Sequence, residues 1–321
     1  MSSDGKEAAD EVCTSCGIAE GDDVKLKKCA CDLVKYCNDG CRELHRPEHE
    51  GACKKKTAEI RDVLLFTQPE MSHLGECPIC CLPNPLDETK SGHLVCCSQR
   101  ICQGCSYAHQ KREQQQGRYP KCPFCRAPMP KSDKEHKKNM KNRIKANNSY
   151  AMVEMGTMLF HKGDYDGAFK HWTKAAELGD VLAHYELALL YRRGEGVEMN
   201  RKKEIYHTEQ AAIGGHATAR NNLAMYELHS GNMDRAVKHF IVSAKLGFDS
   251  LVYPPLDYVK LGFAKGLVSK EEYAAALRGY QAAVDATKSQ QRDEAYAFLN
   301  IADNGAGAGF SISSMMLSMK R

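Results

Sequence analysis

Apolar positions along this chain fall into two regimes. From residue 150 to about residue 287 they recur at helical spacing. The segments AMVEMGTMLF (151–160), LAHYELALLY (182–191) and TARNNLAMYE (218–227) each place Ala and Leu, with Met, Tyr or both, at helical spacing. Second stripes follow and close in the same way, as Ala175-Ala176-Glu177-Leu178-Gly179, Ala211-Ala212-Ile213-Gly214-Gly215 and Ser243-Ala244-Lys245-Leu246-Gly247. Each unit therefore reads as a helix, a Gly-bearing turn, and a second helix ended by Gly. A period in the thirties predicts helix pairs stacked into an all-α solenoid over residues 150–287. A fourth, degraded unit begins near residue 251, where Pro254-Pro255 blunts its first helix and suits it to cap the stack. Ala176, Ala188, Ala212 and Ala224 let helices approach closely, and Trp172, Tyr185 and Tyr226 read as core.

Before residue 150 the pattern is different. Residues 1–12 are a polar tail, and apolar side chains are sparse across 13–53 and 77–126. Between these zones Ile60, Val63, Leu64 and Phe66 predict a connecting helix within a linker at 54–76, ending near Pro69. The run KSDKEHKKNMKNRIK, within 127–149, is basic and helix-permissive and reads as a solvated linker. Residues 288–321 predict a final helix and a disordered Gly/Ser/Met-rich tail.

Composition matters here through one residue type. All 16 cysteines lie between Cys13 and Cys125. The N-terminus is polar and acidic, so no secretory signal is expected, and repeated C-x-x-C pairs then read as metal sites in a reducing compartment, cytoplasmic and/or nuclear. The two cysteine-rich zones hold too few apolar side chains to order themselves; a structural zinc contributes about 10–16 kcal/mol, so each zone is expected to fold only with metal. The net charge of +4 is too small to argue for nucleic acid as a partner, and no run of eighteen apolar residues predicts a membrane-spanning helix.

In the first zone the candidate ligands are Cys13, Cys16, Cys29, Cys31, Cys37, Cys41, His49 and Cys53, eight in all, which is what two tetrahedral zincs need. With four protein ligands per metal neither site keeps an open position for catalysis. His45-Arg46-Pro47-Glu48-His49 has the form H-x-x-E-H, but that motif needs an uninterrupted helix, Pro47 is expected to break one here, and His49 is already claimed. The Tyr36-Cys37-x3-Cys41 step and the closing His49-x3-Cys53 resemble the MYND zinc finger. The resemblance implies interleaved ligation, with Cys13, Cys16, Cys37 and Cys41 on one zinc and Cys29, Cys31, His49 and Cys53 on the other. It also implies binding of short proline-containing peptides from partner proteins. The Cys29-x-Cys31 pair is one residue shorter than the family's, so a tighter turn is expected there. A MYND-containing lysine methyltransferase would need a further domain, and the chain after residue 150 is repeat.

In the second zone Cys77-Pro78-Ile79-Cys80, Cys97, Cys102-x2-Cys105 and Cys122-Pro123-Phe124-Cys125 supply seven ligands. Gln99 stands where an eighth could be. The candidates to replace it are Cys96, His93, Cys81 and His109. Cys96 is preferred, although neighbouring side chains diverge on an extended strand, so Cys96 and Cys97 can share a metal only through a turn. The spacing resembles a RING finger, and the interval after Cys105 is helix-forming, like that family's central helix. The resemblance implies Cys77, Cys80, Cys102 and Cys105 on one zinc and Cys97, Cys122 and Cys125 on the other. It further implies contact with a ubiquitin-conjugating enzyme through Ile79, Pro123 and Arg126, the last as a cation touching both the carrier and ubiquitin. Such a ligase has no nucleophile of its own and acts by positioning.

The repeat zone, through Gly194-Glu195-Gly196-Val197 and Lys174-Ala175-Ala176-Glu177-Leu178-Gly179, resembles Sel1-type, tetratricopeptide-like repeats, which implies a surface for protein partners. The expectation is thus two zinc-stabilised cross-brace modules with four zincs, followed by an all-α solenoid. Its function would be a protein-interaction adaptor, either a RING-type ubiquitin ligase or a non-enzymatic scaffold.

Overall fold

The computed structural model describes residues 12–18, 20 and 23–305, and the chain divides into two compact units, Met1–Thr67 and Gln68–Arg321. The first unit is a short antiparallel hairpin and one long helix. Strands β1 (Lys27–Lys28) and β2 (Lys35–Tyr36) pair with Lys27 opposite Tyr36, and the Tyr36 hydroxyl meets His45 Nδ1 at 2.9 Å on the helix. Helix α1 (Asp39–Phe66) starts at Asn38, whose side chain accepts the Cys41 N–H at 2.8 Å. It runs unbroken through Pro47. This corrects the expectation that Pro47 interrupts it, and there is no separate connecting helix beginning at residue 54. Proline removes only the bond to the Glu43 carbonyl, and Glu43 and Pro47 both lie on an exposed flank where water can replace the missing donor. The rest of the segment is rich in Lys, Glu and Ala, which favour helix.

The second unit opens with a cysteine-rich module: strands β3 (Ser91–Leu94) and β4 (Gln99–Cys102) form a hairpin, and helix α2 (Gln103–Gln115) follows directly. Its core is rich in sulfur, with Cys77, Cys102, Cys105 and Cys122 buried beside Leu94, Ile101 and Met129. The basic segment that reads as a solvated linker is instead helix α3 (Asp133–Lys145), capped by Ser132. Met140 is fully buried, and Ile144, one turn on, packs against the core of the next helices; these apolar side chains fold the run onto its neighbour.

Four helix pairs follow: α4 (Ser149–Phe160) with α5 (Tyr165–Glu177), α6 (Val181–Arg193) with α7 (Arg201–Ile213), α8 (Ala217–His229) with α9 (Met233–Lys245), and α10 (Pro255–Ala264) with α11 (Lys270–Ala286). Each pair also packs on the next, giving a helical-repeat stack. Asn148, Asp164, Asp180 and Asn200 cap successive helices with their side chains, and α11 begins with a full capping box at Ser269 and Glu272. Trp172 is the centre of the first pair's core, donating its indole N–H to the Val153 carbonyl at 3.2 Å. Tyr185 stacks on His216 and Tyr226 bonds Glu204, so both serve packing. Pro255 opens α10 as its first residue, where the missing N–H costs nothing.

Helix α12 (Gln290–Gly305) does not extend the stack. It lies on α2 of the cysteine-rich module, with Phe298 against Tyr107 at 4.9 Å between ring centroids. No helix among the described residues is long and apolar enough to cross a membrane. Most of the predicted N-terminal tail and the Gly/Ser/Met-rich end after Gly305 lie outside the described residues.

Candidate metal centres

Recurring turns present the sulfurs. At Cys77 the N–H bonds the Leu82 carbonyl at 3.0 Å and the Cys77 carbonyl accepts the Cys81 N–H at 2.8 Å. At Cys122 the same pair of bonds joins Ala127 and Arg126, at 2.8 and 3.0 Å. Both turns end on a residue in the left-handed region, Cys81 (φ 54°) and Arg126 (φ 59°). Cys13 repeats the pattern with Ile18 and Gly17, where φ is 75°. The shorter Cys29-x-Cys31 pair uses a tighter version: its carbonyl accepts from Asp32, one residue earlier in register, and Asp32 takes the positive φ of 59°.

These turns gather the sequence-predicted ligands into four groups: Cys13, Cys16, Cys37 and Cys41; Cys29, Cys31, His49 and Cys53; Cys77, Cys80, Cys102 and Cys105; and Cys96, Cys97, Cys122 and Cys125. Within each group the ligand atoms all lie within 4.8 Å of one another. Sulfur–sulfur separations are 3.6 Å for Cys16–Cys37 and Cys37–Cys41, 3.5 Å for Cys29–Cys53, 3.8 Å for Cys80–Cys102 and 3.6 Å for Cys97–Cys122. Four sulfurs at zinc-bond length on a tetrahedron are about 3.8 Å apart. His49 points Nε2 at Cys31 Sγ, 3.1 Å away, while His45 is held by Tyr36; the two histidines of the H-x-x-E-H run have different partners.

The electrostatics of the groups also fit a cation. Cys29 falls to about 6, chiefly through the backbone N–H of Cys31. Burial opposes ionisation of Cys13, yet the N–H groups of Cys37, Cys16 and Ser15 bring it to about 6. Cys77 falls to about 4, first through its hydrogen bond from Cys102. Their neighbours move the other way. Desolvation, then the sulfurs of Cys16 and Cys41, push Cys37 up to about 12, and burial pushes Cys105 to about 12 and Cys97 to about 11. One thiolate per group is favoured and further ones are opposed by like charge and desolvation. A bound divalent ion removes that conflict and stabilises every thiolate together.

Of the candidates to accompany Cys97, Cys122 and Cys125, the structure brings Cys96 alone to them. The loop between β3 and β4 bends back, with the Cys97 and Ser98 N–H groups both on the Leu94 carbonyl, at 3.1 and 2.7 Å, and Ser98 at φ 59°. This is the turn that lets adjacent cysteines face one point. Cys81 is exposed and closes the first turn, in the place Arg126 holds in the other. His109 donates to the Lys121 carbonyl at 2.7 Å. His93 stacks on Tyr150, and with Gln99 it lines a cleft of about 530 Å³ between the module and the first helix pairs.

Around the module Ile79 and Arg126 are exposed and Pro123 is half-buried. Two features escaped sequence reasoning. Ser98, beside the paired cysteines, donates to Asn148 Oδ1 at 2.9 Å and accepts from Arg143 Nε at 3.3 Å, so α3 and the cap of α4 brace the ligand loop. The same Asn148 oxygen accepts the Ala151 N–H at 2.9 Å, so the cap of α4 and the brace of the ligand loop are one group. Arg292 of α12 reaches Cys80 Sγ at 3.4 Å, across a sequence separation that no motif spans.

The described residues thus define a helical-repeat protein with four Cys/His clusters, each able to hold a tetrahedral metal ion. No family model and no curated protein matches the chain. Among solved structures, a Sel1 repeat protein from Oxalobacter formigenes is 21% identical over 63% of this chain and 86% of its own, with a TM-score of 0.40. The protective antigen c5321 of uropathogenic Escherichia coli, which displays an SLR fold, is 16% identical over 65% of this chain, with a TM-score of 0.36; the match spans 42% of that protein's length.

Proposed function

We propose that this chain is a zinc-dependent interaction adaptor of the cytoplasm and/or nucleus, whose Cys77–Cys125 module acts as a RING-type ubiquitin ligase. In this reading the N-terminal module is MYND-type and the helix pairs are Sel1-type. The observation that carries it is the exposure of Ile79, 44% open to solvent in the turn between Cys77 and Cys80, where an apolar side chain has no packing role. Pro123 in the second turn and Arg126 just after it are the other two residues that the RING resemblance assigns to this contact. A ubiquitin-conjugating enzyme seated there would be held in reactive geometry, and the chain itself needs no nucleophile. Exposed Leu33 and Leu44 in the first module offer apolar contacts to short proline-containing peptides, and the helix pairs offer the larger surface for protein partners. The test is ubiquitin-chain formation with a panel of carrier enzymes. Activity with at least one carrier is expected, with a loss of about tenfold or more in Ile79→Ala and in Arg126→Ala, equivalent to about 1.4 kcal/mol each. Silence with every carrier, or indifference to both substitutions, refutes the ligase.

A second reading, a scaffold without enzymatic activity, is favoured by the way the module is tied into the helical unit through Ser98 to Asn148 and through Arg292. It predicts full zinc loading and partner capture with no chain formation.

A further inference from the structure

Arg292, near the start of α12, is 1% exposed, and no carboxylate among the described residues pairs with it. A guanidinium cannot shed its charge in a protein, and a buried charge without a counter-charge is strongly destabilising. Its acceptors are the carbonyls of Pro83 (2.7 Å), Thr287 (2.8 Å) and Leu82 (3.2 Å), and Cys80 Sγ (3.4 Å). Carbonyls supply dipoles only. The anionic partner within reach is the Cys77, Cys80, Cys102 and Cys105 cluster, where a divalent ion among four thiolates would leave a net charge of −2. The approach is close: a Cβ on Gly104, between the ligands Cys102 and Cys105, would sit 2.9 Å from Arg292 Cγ and 3.0 Å from its Cα. Ala295, one turn along α12, is fully buried, and Phe298 meets Tyr107.

We propose that Arg292 is the counter-ion and positioning residue of this one metal centre, so that docking of α12 and retention of the metal depend on each other. The proposal rests on the reading of the cluster as a metal site. It makes α12 a clasp from the far end of the helical unit. Arg292 neutralises part of the tetrathiolate charge and holds the carbonyls of Leu82 and Pro83, which fixes the turn that carries Cys80. The metal in turn keeps all four thiols deprotonated, and the net negative charge of the thiolates around it lets a guanidinium be buried. Ile79, in the same turn, stays exposed, so the clasp leaves the candidate carrier face open.

The test uses the full chain loaded with zinc, with release followed by a chromogenic chelator and protection of α12 by hydrogen exchange. One of four zincs is expected to leave about 10–100-fold faster in Arg292→Met, the range typical for groups that support metal ligands. The other three should keep their rates, which also shows that the variant is folded. Arg292→Lys, which keeps the charge, should restore much of the retention. Gly104→Ala, which pushes α12 away and leaves Arg292 and the ligands intact, should speed release of the same zinc. Cys77→Ser should lower the count to three and strip protection from α12. Unchanged release in both Arg292→Met and Gly104→Ala, or equal loss in the Lys and Met variants, overturns the counter-ion role. Undiminished protection of α12 in a three-zinc Cys77→Ser protein overturns the mutual dependence. A zinc count unaltered by Cys77→Ser overturns the metal centre itself and the proposal with it.

Discussion

Cys96 and Cys97 are neighbours on the chain and share a cluster because the loop at Leu94–Ser98 reverses direction. Spacing alone left four candidates for that position, since a turn of this kind is set by a few hydrogen bonds and one positive φ. Zinc analysis of the purified protein should give four ions, falling to three in Cys96→Ala and staying at four in Cys81→Ala, His93→Ala and His109→Ala. A count of four in Cys96→Ala would remove it from the centre. His73 is a second case decided by surroundings. Both its ring nitrogens are buried without partners, and its ring stacks on His216 at 4.3 Å. Burial first, then the charge of Arg100, holds its pKa at about 4. The unfolded chain takes up this proton near pH 6.5 and the folded chain only near 4. Stability from His73 is therefore complete above pH 6.5 and is lost as pH falls from 6.5 toward 4, by on the order of 2–3 kcal/mol. His216, pushed down by burial and by His73, adds to the same slope. His73→Phe should melt with a shallower dependence on pH across that window; identical slopes would reject the assignment.

Among the elements, helix existence in the repeat zone was legible because a stripe of apolar residues closed by Gly has few other uses. Gly179, Gly215 and Gly247 do end helices at positive φ of 80–86°. The unbroken course of α1 through Pro47 was not legible, because the cost of proline depends on whether water can reach the orphaned carbonyl. Nor was the burial of Met140 in α3, one of two apolar side chains in a lysine-rich run that reads as solvated until a neighbour is known. Gly156 shows how packing reverses propensity. Ala in mid-helix is better than Gly by about 1 kcal/mol, yet a Cβ there would lie 2.5–3.0 Å from three atoms of the Trp172 ring. Gly156→Ala is expected to destabilise the helical unit by about 1–3 kcal/mol, as overpacked cores do, in urea unfolding of the full chain. A gain in stability would show that the α4–α5 contact yields.

For the whole molecule the contrast is between parts held by sulfur and parts held by carbon. In the first unit the described buried hydrophobic positions are Cys13, Cys31, Tyr36 and Leu65, so little remains when the ligands are released. The helix pairs bury Trp172, Leu187, Phe240, Val259 and many alanines, with no cysteine among them. Chelation should therefore abolish hydrogen-exchange protection over residues 12–53 and 77–128, while far-UV helicity from α4 to α11 persists. Loss of the repeat helices together with the zinc would show that the modules and the stack fold as one.

By itself the sequence determined which residues can be ligands and where the helix pairs lie. Both are local matters, set by side-chain chemistry and by periods of a few residues to a few tens. The tertiary structure decided which sulfurs meet at one point, which histidine stands aside, and that Arg292 lies beside Cys80. These depend on turn geometry and on contacts between segments up to 212 residues apart, where a buried charge or a missing Cβ has meaning only once its neighbour is in place.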